Sequence, residues 1–380
     1  MSHSRVDIIT NQAPHYRAAL WATLLKNREI DACFLYGNSD ASGIKTIDFS
    51  QSPWLGVRHK LHLLDNRYIK KVLIWQHGVL THIWRTDANA VVFLGDMNIL
   101  STWLSVWLAR GRGISVLFWG HGVYGREGRL KRWLRTQFLH LADCNLVYGE
   151  HARGLLLENG FPPHRVRVVY NSLDHARQRA IRTSVIQPNF YSSQAWFDEA
   201  FAPILLFVGR LTSEKRLDSL INAVQMLREV GEVYNLIMVG NGPEILRLKE
   251  LAAGISGQVH FYGACYLEEE LGRLIANADL CVSPGNVGLT AMHALGYGTP
   301  VCTHSDLTRQ MPEAESIIEG RTGVLFNYFE MDLVEAIRRW FASAPSRDSV
   351  RKFCYQEIDD KWNTGNQAHL IVKAIKDFGS

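Results

Sequence analysis

The chain has no apolar run approaching the roughly 18 residues that a membrane-spanning helix needs. Nor does Met1-Ser-His-Ser-Arg5 lead into the apolar segment of a signal peptide. A cytoplasmic protein is expected, at most peripheral on the inner face of a membrane. Its six cysteines (Cys33, Cys144, Cys265, Cys281, Cys302 and Cys354) form no Cys-x-x-Cys pair and no zinc-like spacing with histidine. Buried free thiols are therefore expected, with no disulfide and no metal site. Asp-x-Asp, a short motif suited to a divalent ion, occurs nowhere. With a net charge of only +4 the chain as a whole carries no strong field, and nothing in it points to nucleic acid.

What the chain does have is size and alternation. Its 380 residues exceed what one hydrophobic core supports, so two domains are expected. Charge divides between them: residues 1–200 hold 24 Lys/Arg against 15 Asp/Glu, and residues 201–380 hold 17 against 22. Short apolar runs alternate with longer amphipathic stretches, the pattern of βαβ units and parallel sheets. The strand-like runs are 6–10, 32–36, 72–76, 91–94, 114–119, 145–148 and 166–170, then 204–208, 235–239, 258–261, 280–283, 300–303 and 324–326. The period breaks between 182 and 203. The expected fold is α/β, with two doubly wound Rossmann-like domains over 1–183 and 203–352 facing a cleft. A linker over 184–202 separates them, and C-terminal helices over 353–380 have a path back to the first domain.

Ligands of such sheets bind beyond the carboxyl ends of the strands. In the second half one such end reads Phe207-Val-Gly-Arg-Leu-Thr-Ser-Glu-Lys215. Arg210 and Lys215 beside the Gly209 turn suit a diphosphate, since Arg offers a planar fork and Lys a point charge. Two solvated charges ahead of a helix is the plainer alternative. A second end reads Ser283-Pro-Gly-Asn-Val-Gly-Leu-Thr290, in which Gly285, Asn286, Val287 and Gly288 precede a helix opening near Leu289. Free N–H groups at such a helix start bind anions without a metal. In the first half, His15, Tyr16, His77, Asp96, Asn98 and His121 sit at strand ends and are candidates for contact with a second substrate.

These segments, taken in order, carry a resemblance. Phe207 to Lys215, Val239-Gly-Asn-Gly-Pro-Glu244, Phe261-Tyr-Gly263, Ala278 to Pro284, Gly288-Leu-Thr290, Gly298-Thr-Pro-Val301 and Pro312-Glu313 resemble the donor half of retaining glycosyltransferase family 4, of GT-B fold. Asn171-Ser-Leu-Asp174 is similar to that family's Asn-Gly-Val-Asp. The resemblance implies a nucleotide-sugar donor. Arg210, Lys215 and the amides near Leu289 and Thr290 would hold its diphosphate, while Gly240, Gly242 and Pro243 and then Tyr262, Gly263 and Ala264 would frame its base. It also implies UDP before GDP, no metal or other cofactor, and a glycan or lipid-diphosphate-linked acceptor. His121 takes the place where the family sets a histidine against the donor sugar. The sequence departs from the family at two positions usually held by glutamate, here Gly285 and His293. His293 offers the ribose one acceptor and one donor in place of a carboxylate. At position 285 backbone N–H groups of Asn286 to Gly288 would have to serve. These losses keep a non-catalytic nucleotide-sugar or glycan binder as the alternative.

Gly120-His-Gly-Val-Tyr-Gly125 also spells the dinucleotide fingerprint, so an NAD(P)-dependent oxidoreductase is a second alternative. That motif falls on a late strand and leaves the second half unused. The stretch 126–141 combines Arg126, Arg129, Lys131, Arg132 and Arg135 with a stripe through Leu130, Trp133, Leu134, Phe138 and Leu141. Core packing of the stripe is expected, with contact to anionic lipid or a lipid-diphosphate acceptor as the other reading. Eight of the eleven tryptophans precede residue 150, and Trp54, Trp103 and Trp107 suit either core or interface.

Overall fold

The computed structural model of the chain describes residues 4–38, 45–70, 72–186, 196–199 and 201–379. It divides into two compact units, Met1–Asp174 with Thr364–Ser380, and His175–Asn363. Within the expected linker, 187–195 and 200 lie outside the described residues.

In the first unit eight strands form one sheet: β1 (Ser4–Thr10), β2 (Ile30–Gly37), β3 (Leu61–Ile69), β4 (Leu73–His77), β5 (Ala90–Leu94), β6 (Ser115–Gly120), β7 (Cys144–Val147) and β8 (Val166–Val168). Their order is β4-β3-β2-β1-β5-β6-β7-β8. All pair in parallel except β4, which runs antiparallel to β3. Strand β3 was not foreseen. Of its nine residues only Leu64 and Asn66 are buried, so it lacks the apolar alternation that marks a strand.

Strand β1 shows why the sheet is covered on both sides. Val6 and Ile8 face one core with α1 (Ala18–Leu25) and the last helix of the chain, Thr364–Phe378. Ile9 faces the other core, under α2 (Val79–Arg85), α3 (Leu100–Gly111), α4 (Arg129–His140) and α5 (Glu150–Glu158).

Of the apolar stripe expected along α4, only its C-terminal end, Phe138 and Leu141, packs on that core. Leu130 and Trp133 are more than half exposed and Leu134 is exposed too. The inward face is Arg135, Phe138, Leu139 and Ala142, a register set by the ion pair of Arg135 with Glu127, 2.8 Å apart and each side chain only 7% exposed. The neighbouring α2 and α3 also turn Trp84, Leu104 and Trp107 outward, all more than half exposed, whereas Trp54 is core and Trp103 packs on Phe138.

The second unit carries a parallel six-stranded sheet: β9 (Ile204–Val208), β10 (Asn235–Val239), β11 (Val259–Gly263), β12 (Leu280–Ser283), β13 (Val301–His304) and β14 (Gly323–Phe326), ordered β11-β10-β9-β12-β13-β14. Its helices are α6 (His175–Val185), α7 (Leu217–Glu229), α8 (Ile245–Leu251), α9 (Glu268–Asn277), α10 (Leu289–Gly296), α11 (Glu330–Ser343) and α12 (Arg347–Asp360); the last helix is α13. The units part at Asp174, nine residues before the boundary read from the sequence at 183, because α6 packs on α9 and α10. Arg182 fixes it there, donating to both Asp359 oxygens at 2.9 and 2.7 Å and to the Gly296 carbonyl at 2.9 Å.

Candidate functional site

Each sheet has a place where chain growth reverses, between β9 and β12 in the second unit and between β1 and β5 in the first. Beyond the carboxyl ends of such strands the loops splay apart and leave a crevice.

In the second unit the loops after β9, β10 and β12 are joined backbone to backbone. Leu211 N–H donates to the Asn241 carbonyl at 3.0 Å, and Glu244 N–H to the Leu211 carbonyl at 3.1 Å. This contact is what demands glycine: a Cβ on Gly240 would lie 1.8 Å from the Gly209 carbonyl oxygen, and one on Gly242 2.2 Å from that of Leu211. Thr290 Oγ1 donates to the Val208 carbonyl at 2.9 Å, tying the first turn of α10 to the end of β9. Gly209, Arg210, Lys215, Gly240, Gly242 and residues 285–290 are thus gathered at one end of the sheet.

Helix α10 opens without a side-chain cap. Of the loop amides before it, Gly285 N–H donates to the Lys215 carbonyl at 3.0 Å and Val287 N–H to Gln310 Oε1 at 2.7 Å. Those of Asn286, Gly288, Leu289 and Thr290 find no acceptor among the described residues. Lys215 Nζ donates to the backbone and side-chain oxygens of Asn286, both at 2.7 Å, which leaves one of its three hydrogens. Burial pulls its pKa below the usual lysine value, against the pull of Glu214 and Glu313. Arg210 is exposed and makes no ion pair among the described residues. Gly285 has a structural reason beyond a missing carboxylate: a Cβ there would meet the Glu214 carbonyl oxygen at 2.0 Å and the Lys215 Cα at 2.7 Å.

The remaining positions spread around this core. Val287 is fully buried and Pro243 and Ala264 are exposed. Tyr262 bonds through its hydroxyl to Glu270, and burial, then that carboxylate, push its pKa up to about 12. His293 turns toward α6 and α9, with Nδ1 3.4 Å from Gln178 Nε2 and 3.8 Å from Glu268 Oε1. Gln310 was missed in the sequence, yet it fixes the 285–288 loop by also donating to Thr303 Oγ1 and the His304 carbonyl, both at 2.8 Å. Only Pro312-Glu313 close by hinted at it.

In the first unit a pocket of about 290 Å³ opens beyond β1, β5 and β6. Tyr16, Asp96, Asn98 and His121 line it, together with Arg17, Tyr124, Arg135 and Tyr148. His15 and His77 do not. His15 is exposed and bonded to the Lys45 carbonyl, and His77 is exposed at the end of the edge strand β4, where Gln76 is the residue turned inward. The His121 ring lies 4.9 Å from that of Tyr148. Burial first, then the charges of Arg17 and Arg135, pull its pKa down to about 4, so the imidazole is neutral at physiological pH. The dinucleotide reading of Gly120 to Gly125 fails on geometry, because α4 begins only at Arg129 and no helix N-terminus reaches the motif. No cluster able to hold a metal occurs among the described residues, and no helix there is long and apolar enough to cross a membrane.

The chain is similar to known glycosyltransferases. Residues 196–357 match the family described as Glycosyl transferases group 1, and residues 91–177 match Glycosyltransferase Family 4. Over 100 residues the chain is 34% identical to a GDP-mannose-dependent alpha-(1-6)-phosphatidylinositol dimannoside mannosyltransferase of Mycobacterium tuberculosis, 26% of either protein. Over 150 residues it is 35% identical to glycogen synthase of Yersinia pseudotuberculosis, 37% of this chain and 31% of that one. It thus spans between a quarter and a third of the length of these curated relatives. Among solved structures, the apo form of the lipopolysaccharide outer core galactosyltransferase WaaB superposes with a TM-score of 0.71 at 16% identity, over 98% of this chain and 99% of that one. A glycosyltransferase from Rickettsia africae gives 0.72 at 12%, over 100% and 99%. Anabaena HepE in complex with UDP gives 0.70 at 14%, over 98% and 100%. The chain carries a glycosyltransferase group 1 domain over residues 196–357 and a glycosyltransferase family 4 domain over residues 91–177, on a GT-B fold.

Proposed function

We propose that the protein is a retaining, metal-independent glycosyltransferase that moves a hexose from a nucleoside diphosphate sugar to a glycan or lipid-linked acceptor. One observation carries the reading: the residues singled out for the donor gather at the switch point of the second sheet, around an uncapped helix N-terminus and two cations. There the open amides of Asn286, Gly288, Leu289 and Thr290 take the distal phosphate, while Arg210 and the remaining Lys215 hydrogen take the rest of the diphosphate. Gly240, Gly242 and Pro243 with Tyr262 to Ala264 frame the base, and His293 beside Glu268 meets the ribose. UDP is the proposed nucleotide, as in the HepE complex; GDP, named for the mycobacterial relative, is the competitor.

By front-face attack, transfer with retention has the departing phosphate take the acceptor proton on the same face of the sugar. His121 orients the sugar and supports the charge that develops, as a neutral imidazole with one donor and one acceptor. Tyr16, Asp96 and Asn98 then bind acceptor in the first-unit pocket. The exposed Trp84, Trp107, Leu130 and Trp133, with the exposed Arg126, Arg129 and Lys131 just before and at the start of α4, rest on anionic lipid that presents it.

The absence of a carboxylate at 285 and 293 favours a second reading, a protein that binds nucleotide-sugar without turnover. A thermal-shift panel of UDP, GDP and their sugars, followed by transfer assays with the stabilising donors, separates the two. Stabilisation with transfer is expected. Stabilisation without transfer to any glycan or lipid acceptor would leave binding alone, and no stabilisation by any nucleotide would end both readings.

A further inference from the structure

The first-unit pocket holds a cation that the reading above does not use. Arg17 follows the loop after β1 and lines the pocket. Its guanidinium lies 4.4 Å over the Trp119 ring, beside the rings of Tyr148 and Tyr16 at 5.5 and 5.9 Å, and it donates to the Tyr148 hydroxyl. Among the described residues Arg17 makes no ion pair. Arg135, also on the pocket wall, is neutralised by Glu127. Among the described residues the one carboxylate lining the pocket, Asp96, is turned to Asn98, accepting from its N–H at 3.0 Å and its Nδ2 at 2.9 Å.

A partly buried guanidinium flanked by aromatic rings and a phenol, with no carboxylate beside it among the described residues, has lost water without gaining a counter-charge from them. A neutral sugar would leave it so. A carboxylate or phosphate would match its planar fork. We propose that the acceptor taken by this pocket bears an oxyanion, a carboxylate or phosphate on a sugar, which Arg17 grips while Asp96 accepts from a neighbouring hydroxyl. This rests on the assignment of the pocket to the acceptor, and it adds the chemical class of that acceptor and the residue that selects it. Asp96 would repel an anion placed on its own side, so the two groups together also fix which way round the sugar enters.

The test is ligand-detected NMR on the full chain with glucuronate, galacturonate and glucose 6-phosphate. Glucose and galactose serve as neutral controls, and inorganic phosphate tests for a site that takes the bare ion. The anionic sugars should bind about 10- to 100-fold more tightly than the neutral ones, the range for a hydrogen bond to a charged group. Arg17→Gln should bring the two classes within about twofold. Arg17→Lys should keep part of the preference, and it preserves the test if the glutamine variant fails to fold. UDP affinity should stay unchanged in both variants. Equal binding of neutral and anionic sugars, or a preference that survives Arg17→Gln, would overturn the proposal. So would inorganic phosphate binding as tightly as the phosphorylated sugar, or a loss of UDP affinity in Arg17→Gln as large as the loss for anionic sugars. Should UDP fail to bind the wild type while the Arg17-dependent preference persists, the oxyanion site stands and the nucleotide-sugar reading falls.

Discussion

Lys215 and Arg210 meet the same expected ligand from different starting points. The lysine is already bonded twice to Asn286 and partly dried, whereas the arginine is exposed and unpaired among the described residues. Alanine at either should weaken nucleoside diphosphate binding by about 1.5–3 kcal/mol. Titration calorimetry on both variants checks this, and unchanged affinity in both would remove the diphosphate site. His121 and His293 should behave oppositely. His121→Ala is expected to lower turnover by about 10²–10³-fold with UDP affinity kept, as for other groups that meet developing charge. His293→Ala is expected to weaken nucleotide binding with a small effect on saturated turnover. The low pKa of His121 also has a direction in stability. The unfolded chain takes up that proton near pH 6.5, and the folded one only near 4. Stability from this group is therefore present above pH 6.5 and falls as pH drops toward 4. His121→Gln should flatten that part of a melting-temperature profile, and an unaltered profile would mean the imidazole is not held neutral.

Among the elements, the loop between β12 and α10 is the most constrained. A glutamate at 285 would restore the carboxylate of the related proteins, but its Cβ would strike the backbone of Glu214 and Lys215. Because backbone cannot give way as a side-chain tip does, even Gly285→Ala should destabilise the second unit by about 1–3 kcal/mol and weaken UDP binding. Thermal melts with and without UDP test this; a variant that melts and binds like the wild type would show that the loop has room. Helix α4 makes a comparable point about register. Its periodic stripe and its buried face meet at Phe138 and part before it, because Glu127, in the preceding loop, draws Arg135 inward. An ion pair with a residue outside the helix is invisible to helical periodicity.

At the scale of the whole molecule two proposals concern partners. If helix amides and two cations carry the diphosphate, transfer should continue in EDTA at its ordinary rate. Loss on chelation, restored by magnesium, would contradict that site. The outward tryptophans of α2, α3 and α4 predict sedimentation with vesicles containing anionic lipid and much less with neutral ones, weakening as salt rises. Replacing Trp107 and Trp133 by serine should abolish it without changing UDP affinity, and binding that ignores both lipid charge and these residues would leave the face without a lipid role.

By itself the sequence determined the two parallel α/β domains and the second-unit loops, because both depend on short-range rules. Apolar alternation marks buried parallel strands, and glycine marks backbone approaching backbone, as Gly240 and Gly242 do against the β9 loop. Strand β3 escaped, since it lies next to the edge of its sheet, buries only two side chains and carries no such pattern. Only the tertiary structure decided that Arg17 stands between Trp119 and Tyr148 with no ion pair among the described residues, that Gln310 holds the β12–α10 loop, and that His15 and His77 lie off the pocket. Each of these is settled by partners or solvent exposure that residues far apart in the chain create only when the sheets assemble, and no local pattern records them.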